Sequence, residues 1–155
     1  MYNNGIASEA DYPYKAVDQD CTVDPTDYIL DVGTGSVNIT AGDEVELAQA
    51  VWSKGPVSVA FEVVDGFSDY TSGTYTSTTC GNTSSDVNHA VLAVGYGTDE
   101  NGMDYWIVKN SWSTDWGNEG FFNIERGVNM CGIAMCNSYP ASVDEINSRA
   151  EVFLQ

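Results

Sequence analysis

The clearest helical pattern in the chain covers residues 43–53. Asp43 can cap the first turn, and Glu46, three residues later, completes a capping box. Apolar side chains recur at helical spacing and predict one buried stripe. The stripe consists of Val45, Ala48, Val51 and Trp52. Because Gly55 and Pro56 follow at once, the helix is predicted to end there.

The segments after this helix follow the two-residue period of β-strands. Residues 57–63 alternate large apolar with small or polar side chains, which predicts a strand with one face on a core. Four further segments have strand character: 73–79, 87–97, 104–111 and 120–126. The turn-forming residues 98–102 predict an antiparallel hairpin between the second and third of these. Together the elements predict an α+β fold with one main helix and a mainly antiparallel, curled or closed sheet.

Both ends of the chain lack such a period. Residues 1–28 are rich in Asp, Tyr and turn formers, which predicts extended chain wrapped over a surface. Residues 141–155 are charged and are expected to form a C-terminal tail. The intervening residues 29–140 are the predicted main domain, since 155 residues suit a single core.

The charge of the chain restricts its partners. It carries 23 Asp and Glu against 5 Lys and Arg, a formal net charge of -18. This charge repels phosphate backbones and anionic lipid headgroups, so nucleic-acid and membrane-surface partners are excluded. No apolar stretch is long enough to span a membrane. The hydrophobic fraction of 43% is too high for a disordered acidic chain, so the chain is expected to fold.

Cysteines and glycosylation motifs bear on the cellular compartment. Four cysteines allow three full pairings in a secreted protein, and spacing alone does not choose among them. They are Cys21, Cys80, Cys131 and Cys136. Two Asn-x-Ser/Thr motifs, at Asn38 and Asn82, favour a secretory history. The first ten residues, however, have neither the basic start nor the apolar segment of a signal peptide.

The single histidine, His89, is the main candidate for chemistry. It lies in an apolar strand pattern, where a histidine with a purely structural role is the ordinary alternative. The predicted hairpin could bring Asn110 close to it. An amide oxygen that accepts the imidazole N–H fixes the ring's orientation and tautomer, which is the third-member role in nucleophilic triads. Trp112 could shield that hydrogen bond from water, although packing is the commoner role of tryptophan.

A metal site is not expected. The sequence has no C-x-x-C pair, no second histidine and no calcium-binding loop of the usual spacing. No other cofactor is predicted.

Several motifs together resemble the papain family of cysteine peptidases. They are NHAV at 88–91, GYG at 95–97, WIVKNSW at 106–112, WG at 116–117 and GFF at 120–122. The resemblance runs from about Gly5 to Pro140. Within the family it is strongest to cathepsin H and the plant aleurains, through residues 59–63, 87–97 and 129–134. It implies that the chain is the antiparallel, β-barrel-like half of the papain fold, without the helical domain, of which residues 1–28 would be an edge strip.

The resemblance also implies roles for particular residues. His89 would be the catalytic imidazole, Asn110 its orienting amide and Trp112 the cover over their contact. Cys80 and Cys131 would form the family's disulfide. The pocket for the second substrate residue before the cut would be lined by Ala60, Val87, Ala90 and Cys136. In cathepsin H the cysteine at this last position tethers a short propeptide-derived chain, and the alternative here is a free, buried thiol.

The family's nucleophile is not expected within these residues. It lies in a C-G-[SA]-C-[WY] motif about 130–150 residues before the histidine and asparagine, a distance that passes Met1 when counted back from His89. Cys21 would lose its usual upstream partner and be unpaired. Ser113 stands where the family usually has glycine, so a strained backbone or a crowded cleft is expected there.

These features predict the C-terminal part of a papain-like cysteine peptidase, inactive alone. The expected partners are a peptide or protein substrate and a helical domain or chain that supplies the nucleophile. The family implies a lysosomal, vacuolar or extracellular location. The alternative, from another class, is a non-catalytic module that binds peptides or a partner.

Overall fold

The computed structural model describes residues 6–24, 28–29 and 35–141, and the chain divides into two compact units. The smaller comprises the described parts of 1–37 and 140–155. Within it, β1 (Ile6–Ala7) pairs antiparallel with β2 (Tyr28–Ile29). Strand β3 (Gly35–Asn38) leads from this unit into the larger one. The predicted tail lies outside the described residues, apart from Ala141.

The larger unit, residues 38–139, holds one α-helix and most of the sheet. Its elements are α1 (Glu44–Lys54), β4 (Val57–Phe61), β5 (Thr74–Tyr75), β6 (His89–Thr98), β7 (Asp104–Lys109), β8 (Phe121–Glu125) and the start of β9 (Ser138–Ala141). These strands lie in the order β9-β4-β6-β7-β8-β5. Every pair is antiparallel except β5 with β8, which is parallel. The predicted α+β class, with one main helix and a mostly antiparallel sheet, is confirmed.

Helix α1 begins where the sequence predicts, but its cap differs in detail. Asp43 Oδ1 accepts hydrogen bonds from the backbone N–H groups of Val45 and Glu46, at 3.0 and 2.9 Å. The Glu46 carboxylate does not close a capping box on Asp43; it accepts the N–H of Thr40 at 2.8 Å. Glu46 therefore ties the helix to the end of the preceding segment. At the other end, Gly55 adopts a φ of +104°.

The predicted buried stripe of α1 is wrong at two of its four positions. Val45 and Trp52 are 69% and 83% exposed. The buried side chains are Leu47, Ala50 and Val51. A polar contact explains the difference. Glu44 lies on the same face of the helix as Leu47 and Val51, and its carboxylate accepts hydrogen bonds from residues outside the helix.

Glu44 fixes the rotation of α1 about its axis. Its carboxylate accepts the indole N–H of Trp106 on β7 at 2.7 Å. It also accepts the backbone N–H groups of Gly127 and Asn129, at 2.9 and 2.6 Å. A charged acceptor with three donors is worth more than a neutral hydrogen bond, so this contact outweighs the tendency of Val45 and Trp52 to be buried.

The core lies between α1 and one face of the sheet. Strands β4, β6, β7 and β8 contribute every second side chain, as the two-residue period predicts. These side chains are almost fully buried: Val57, Val59, Phe61, Val91, Ala93, Trp106, Val108, Phe122 and Ile124. The strands that carry the site residues therefore rest on a packed layer, which restricts their movement.

The cap of α1 provides a test of this local structure. Replacing Asp43 with Ala removes the acceptor for two backbone N–H groups and is expected to lower the free energy of unfolding by about 1 kcal/mol. Asp43→Asn keeps an acceptor oxygen and is expected to lose only a small part of that. Urea denaturation followed by circular dichroism measures both variants, and equal losses would contradict the assigned cap.

Candidate active site

The hairpin of β6 and β7 brings the two main candidate residues together. The strands pair antiparallel, with Leu92 opposite Lys109. Because β6 begins at His89 and β7 ends at Lys109, the start of one strand lies beside the end of the other. The backbone N–H of Asn110 donates to the carbonyl of Gly120 at 2.9 Å, which fixes the residue just after β7.

His89 and Asn110 are joined by a side-chain hydrogen bond. His89 Nε2 lies 2.9 Å from Asn110 Oδ1, which also accepts the backbone N–H of Ser111 at 2.8 Å. An amide oxygen can only accept, so Nε2 carries the proton in this contact. In the neutral imidazole, the lone pair is then on Nδ1, where it can accept a proton. The contact sets the tautomer that a general base needs.

Aromatic rings enclose this hydrogen bond. The His89 ring centroid lies 5.2 Å from that of Trp112 and 5.8 Å from that of Phe61. Asn110 is only 8% exposed, and its Nδ2 is buried with no hydrogen-bond partner in the described part of the chain. Away from water, a hydrogen bond is electrostatically stronger and resists exchange with solvent.

Phe67 holds the aromatic cover in place. This residue, in the 3-10 turn Phe67–Asp69, is fully buried. Its ring centroid lies 5.7 Å from that of Trp112 and 5.4 Å from that of Trp116, and the two indoles are 5.0 Å apart. The Trp116 N–H also donates to the carbonyl of Ser68 at 2.8 Å. Sequence reasoning missed Phe67, since it lies outside any periodic segment.

Asn88 fixes the backbone just before His89. Its Oδ1 accepts the N–H of Val63 at 2.8 Å, and its Nδ2 donates to the carbonyl of Val63 at 3.1 Å. Its own N–H donates to the carbonyl of Phe61 at 3.1 Å. The start of β6 is thus held to the end of β4 by three hydrogen bonds.

Two of the predicted pocket residues are neighbours in the sheet. Ala60 on β4 lies directly opposite Ala90 on β6. On the other side of β4, Ser58 pairs with Ser138, two residues after Cys136.

The remaining two pocket candidates lie in less regular segments. A Cβ atom on Gly132 would lie only 3.0 Å from the Val87 side chain. The glycine at position 132 therefore leaves room for Val87. Cys136 is a free thiol, but it is exposed, so the alternative of a free, buried thiol is wrong as to burial. It borders a shallow depression with Asn38 and Ser138.

The four cysteines fall into two classes. Cys80 and Cys131 form a disulfide that links positions 51 residues apart, with Cα atoms separated by 5.1 Å. Cys21 and Cys136 are free and exposed. The structure thus realises none of the three full pairings: it contains the one disulfide that the family resemblance implies, and it leaves the other two cysteines as thiols.

Within the described part of the chain, no group of three or more His, Cys, Asp or Glu residues could hold a metal ion. In the same part, no helix is long and apolar enough to cross a membrane.

Ser113 adopts a backbone conformation that favours glycine. Its φ is +70°, in the left-handed region, and its Oγ makes only a long contact of 3.3 Å with the N–H of Asp115. A residue with a Cβ in this region costs on the order of 1 kcal/mol or more. The turn after Trp112 therefore stores strain next to the aromatic cover, as the sequence predicts.

Comparisons with known proteins agree on one family. Residues 1–141 match the family model described as papain family cysteine protease. A pro-cathepsin H of Medicago truncatula is 55% identical over 139 residues, which are 90% of this chain and 39% of that relative. The thiol protease aleurain of Arabidopsis thaliana is 53% identical over 138 residues, 89% of this chain and 38% of that relative.

A solved structure gives the same result. The digestive procathepsin L 3 of the Tenebrio molitor larval midgut matches with a TM-score of 0.83 and 43% identity. The match covers 90% of this chain and 45% of that one. The chain thus spans less than half the length of each of these three proteins.

The strain at Ser113 can be relieved by glycine. Ser113→Gly is expected to raise the free energy of unfolding by up to about 1 kcal/mol, because glycine adopts a positive φ without the steric cost. Ser113→Ala is the matched control, since it removes the same hydroxyl but keeps the Cβ, and it should give no gain. Chemical denaturation of the three proteins measures the difference; an alanine variant as stable as the glycine variant would contradict the strain.

Proposed function

The chain belongs to the papain family of cysteine proteases, and we propose that it forms the part of such a peptidase that transfers protons. In this proposal His89 is the catalytic imidazole, Asn110 orients it and Trp112 covers their contact. The observation that supports this most directly is the 2.9 Å hydrogen bond between Nε2 and Oδ1 beneath an indole ring. Because Nε2 is engaged by Asn110, Nδ1 is proposed as the nitrogen that exchanges protons with the reacting groups.

The proposed chemistry needs a thiolate beside His89. With Nε2 held by Asn110, Nδ1 takes the proton of a cysteine thiol and gives a thiolate–imidazolium pair. The thiolate attacks the carbonyl carbon of a peptide, and the imidazolium passes its proton to the leaving amine as the C–N bond breaks. Nδ1 then takes a proton from water as the water oxygen attacks the thioester carbonyl. The C–S bond breaks, the acid is released, and the imidazolium returns the proton to the sulfur.

We propose that this cysteine comes from residues outside this chain. Cys80 and Cys131 are consumed by their disulfide. Within the larger unit, the side-chain hydrogen bond of His89 goes to Asn110 and not to the sulfur of Cys136. A papain-type helical domain, carrying both the nucleophile and part of the oxyanion hole, is the proposed partner. Alone, the chain is proposed to be inactive.

The proposed substrates are peptides or proteins, with one side chain bound against Ala60, Val87, Ala90 and Cys136. Ala60 and Ala90 are opposite each other on neighbouring strands, and both have small side chains. The Cys136 thiol is free and exposed and so is available for a disulfide, which supports a tethered chain and aminopeptidase-type cleavage. The proposed location is lysosomal, vacuolar or extracellular.

The proposal is tested with the chain alone and with the chain completed by a cysteine-bearing helical domain. A peptidyl epoxide that alkylates papain-type nucleophiles should label only the completed enzyme. In that enzyme, His89→Ala should lower kcat/KM by about 10²–10⁴-fold, the range for loss of an acid–base group. Asn110→Ala should cause a smaller loss, because the imidazole remains but loses its fixed tautomer.

Ser53→Ala serves as the control, since Ser53 lies on α1 and bonds only within the helix, to the carbonyl of Gln49. Its activity should equal that of the wild type. Peptide hydrolysis by the chain alone, or full activity of the His89→Ala enzyme, would overturn the proposed role.

A further inference from the structure

We propose that Asn82 carries an N-linked oligosaccharide. The sequence contains two Asn-x-Ser/Thr motifs, and the structure places them in different surroundings. Asn82, Thr83 and Ser84 lie in a turn between the disulfide cysteine Cys80 and the start of β6. This inference goes beyond peptide hydrolysis and does not depend on the catalytic roles proposed above.

Both chemical groups that the modification uses are accessible in this turn. Asn82, the acceptor, and Ser84, whose hydroxyl is required at the third position, are exposed. Within the described residues neither the Asn82 amide group nor the Ser84 hydroxyl takes part in a hydrogen bond. The hydroxyl of the middle residue, Thr83, is instead engaged by Asp86 and Ser85, at 2.6 and 2.8 Å.

The turn is held by contacts that a sugar on Asn82 would leave intact. The Asn82 carbonyl accepts from Asn129 Nδ2 at 2.9 Å. Asp86 Oδ2 accepts the backbone N–H of Thr83 at 2.9 Å, and the Glu62 carboxylate accepts the N–H of Gly81. The hydrogen bond from the Thr83 side chain is the largest cause that lowers the pKa of Asp86, so this anchor stays ionised. The backbone is thus fixed while the asparagine side chain projects from it.

The motif at Asn38 lies at the end of a strand, where Asn38 and Thr40 are exposed and only the middle residue is buried. Asn38 is the last residue of β3, and the next residue, Ile39, is only 6% exposed. The N–H of Ile39 donates to the carbonyl of Asn137 at 3.0 Å, and the N–H of Thr40 donates to Glu46. The two motifs thus differ in setting: the middle residue is buried and held by a backbone hydrogen bond at Asn38, whereas all three residues are exposed at Asn82.

The neighbouring disulfide points to the compartment in which the modification occurs. Cys80, two residues before Asn82, is oxidised to a disulfide with Cys131. Such bonds persist in the oxidising secretory pathway, where asparagine glycosylation also takes place.

The transfer itself needs a lipid-linked oligosaccharyl diphosphate as donor and the host's transferase. A bond forms between Asn82 Nδ2 and the anomeric carbon of the sugar. The bond from that carbon to the phosphate oxygen breaks, and the lipid diphosphate leaves. The amide gives up one proton to the transferase.

The test uses the full chain, secreted from a eukaryotic cell behind a cleavable leader. Peptide N-glycosidase in heavy-oxygen water converts each glycosylated asparagine to labelled aspartate, which peptide mass spectrometry locates. We expect label at residue 82 in the wild type. Ser84→Ala should abolish it, while the matched variant Ser85→Ala, changed at the next exposed serine, should keep it.

Two results would overturn the proposal. One is an unlabelled Asn82 in secreted protein whose Cys80–Cys131 disulfide has formed, including the case in which only Asn38 is labelled. The other is label at residue 82 that survives Ser84→Ala. Because the readout is the mass of one peptide, it is independent of proteolytic activity and of the proposed function.

Discussion

The hydrogen bond between His89 and Asn110 depends on the pairing of two strand ends. The residues are 21 positions apart in sequence, and the β6–β7 hairpin reduces that separation to 2.9 Å between side-chain atoms. The contact also requires both ends to be fixed. Asn88 holds one to β4, and the bond from the Asn110 N–H to Gly120 holds the other. A slip of one strand by one residue would turn its side chains to the other face of the sheet, so the backbone hydrogen bonds that set the register also keep His89 and Asn110 in contact.

Burial strengthens the hydrogen bond between His89 and Asn110. The imidazole lies between Phe61 and Trp112, and the indole is braced by Phe67 and Trp116. Water would compete for both the donor and the acceptor if these rings were absent. The unpaired Asn110 Nδ2 shows the cost of such burial: its oxygen serves two donors while its nitrogen is left without a partner in the described residues. The unpaired amide nitrogen destabilises the fold, and the bond from the amide oxygen to His89 holds the imidazole in one orientation.

Much of this architecture could be predicted from sequence because it rests on local periods. Alternation in residues 57–63 and 104–111 and the turn between β6 and β7 sufficed for the central strands and the hairpin. The errors arose where a distant group decides the outcome. The exposed side of α1 follows from the contacts of Glu44 with Trp106, 62 residues away, and not from the helix's own pattern. Of the strand predicted at 73–79, only Thr74–Tyr75 forms a strand, and it pairs in parallel with β8. Phe67 had no periodic signal, since its place is set by the rings around it.

Glu44 also links segments that are otherwise far apart in the chain. Its carboxylate accepts hydrogen bonds from the Trp106 indole on β7 and from two backbone N–H groups of the loop at 127–129. Glu44 is also the first residue of α1. The same loop residue, Asn129, donates to the turn at Asn82. If the first turn of α1 unfolded, the buried Trp106 indole would lose its hydrogen-bond acceptor and the loop at 127–129 would be released. Local unfolding of the helix or of the loop alone therefore costs free energy in the other segments as well. Helix, hairpin and disulfide loop are thereby joined into a single cooperative folding unit.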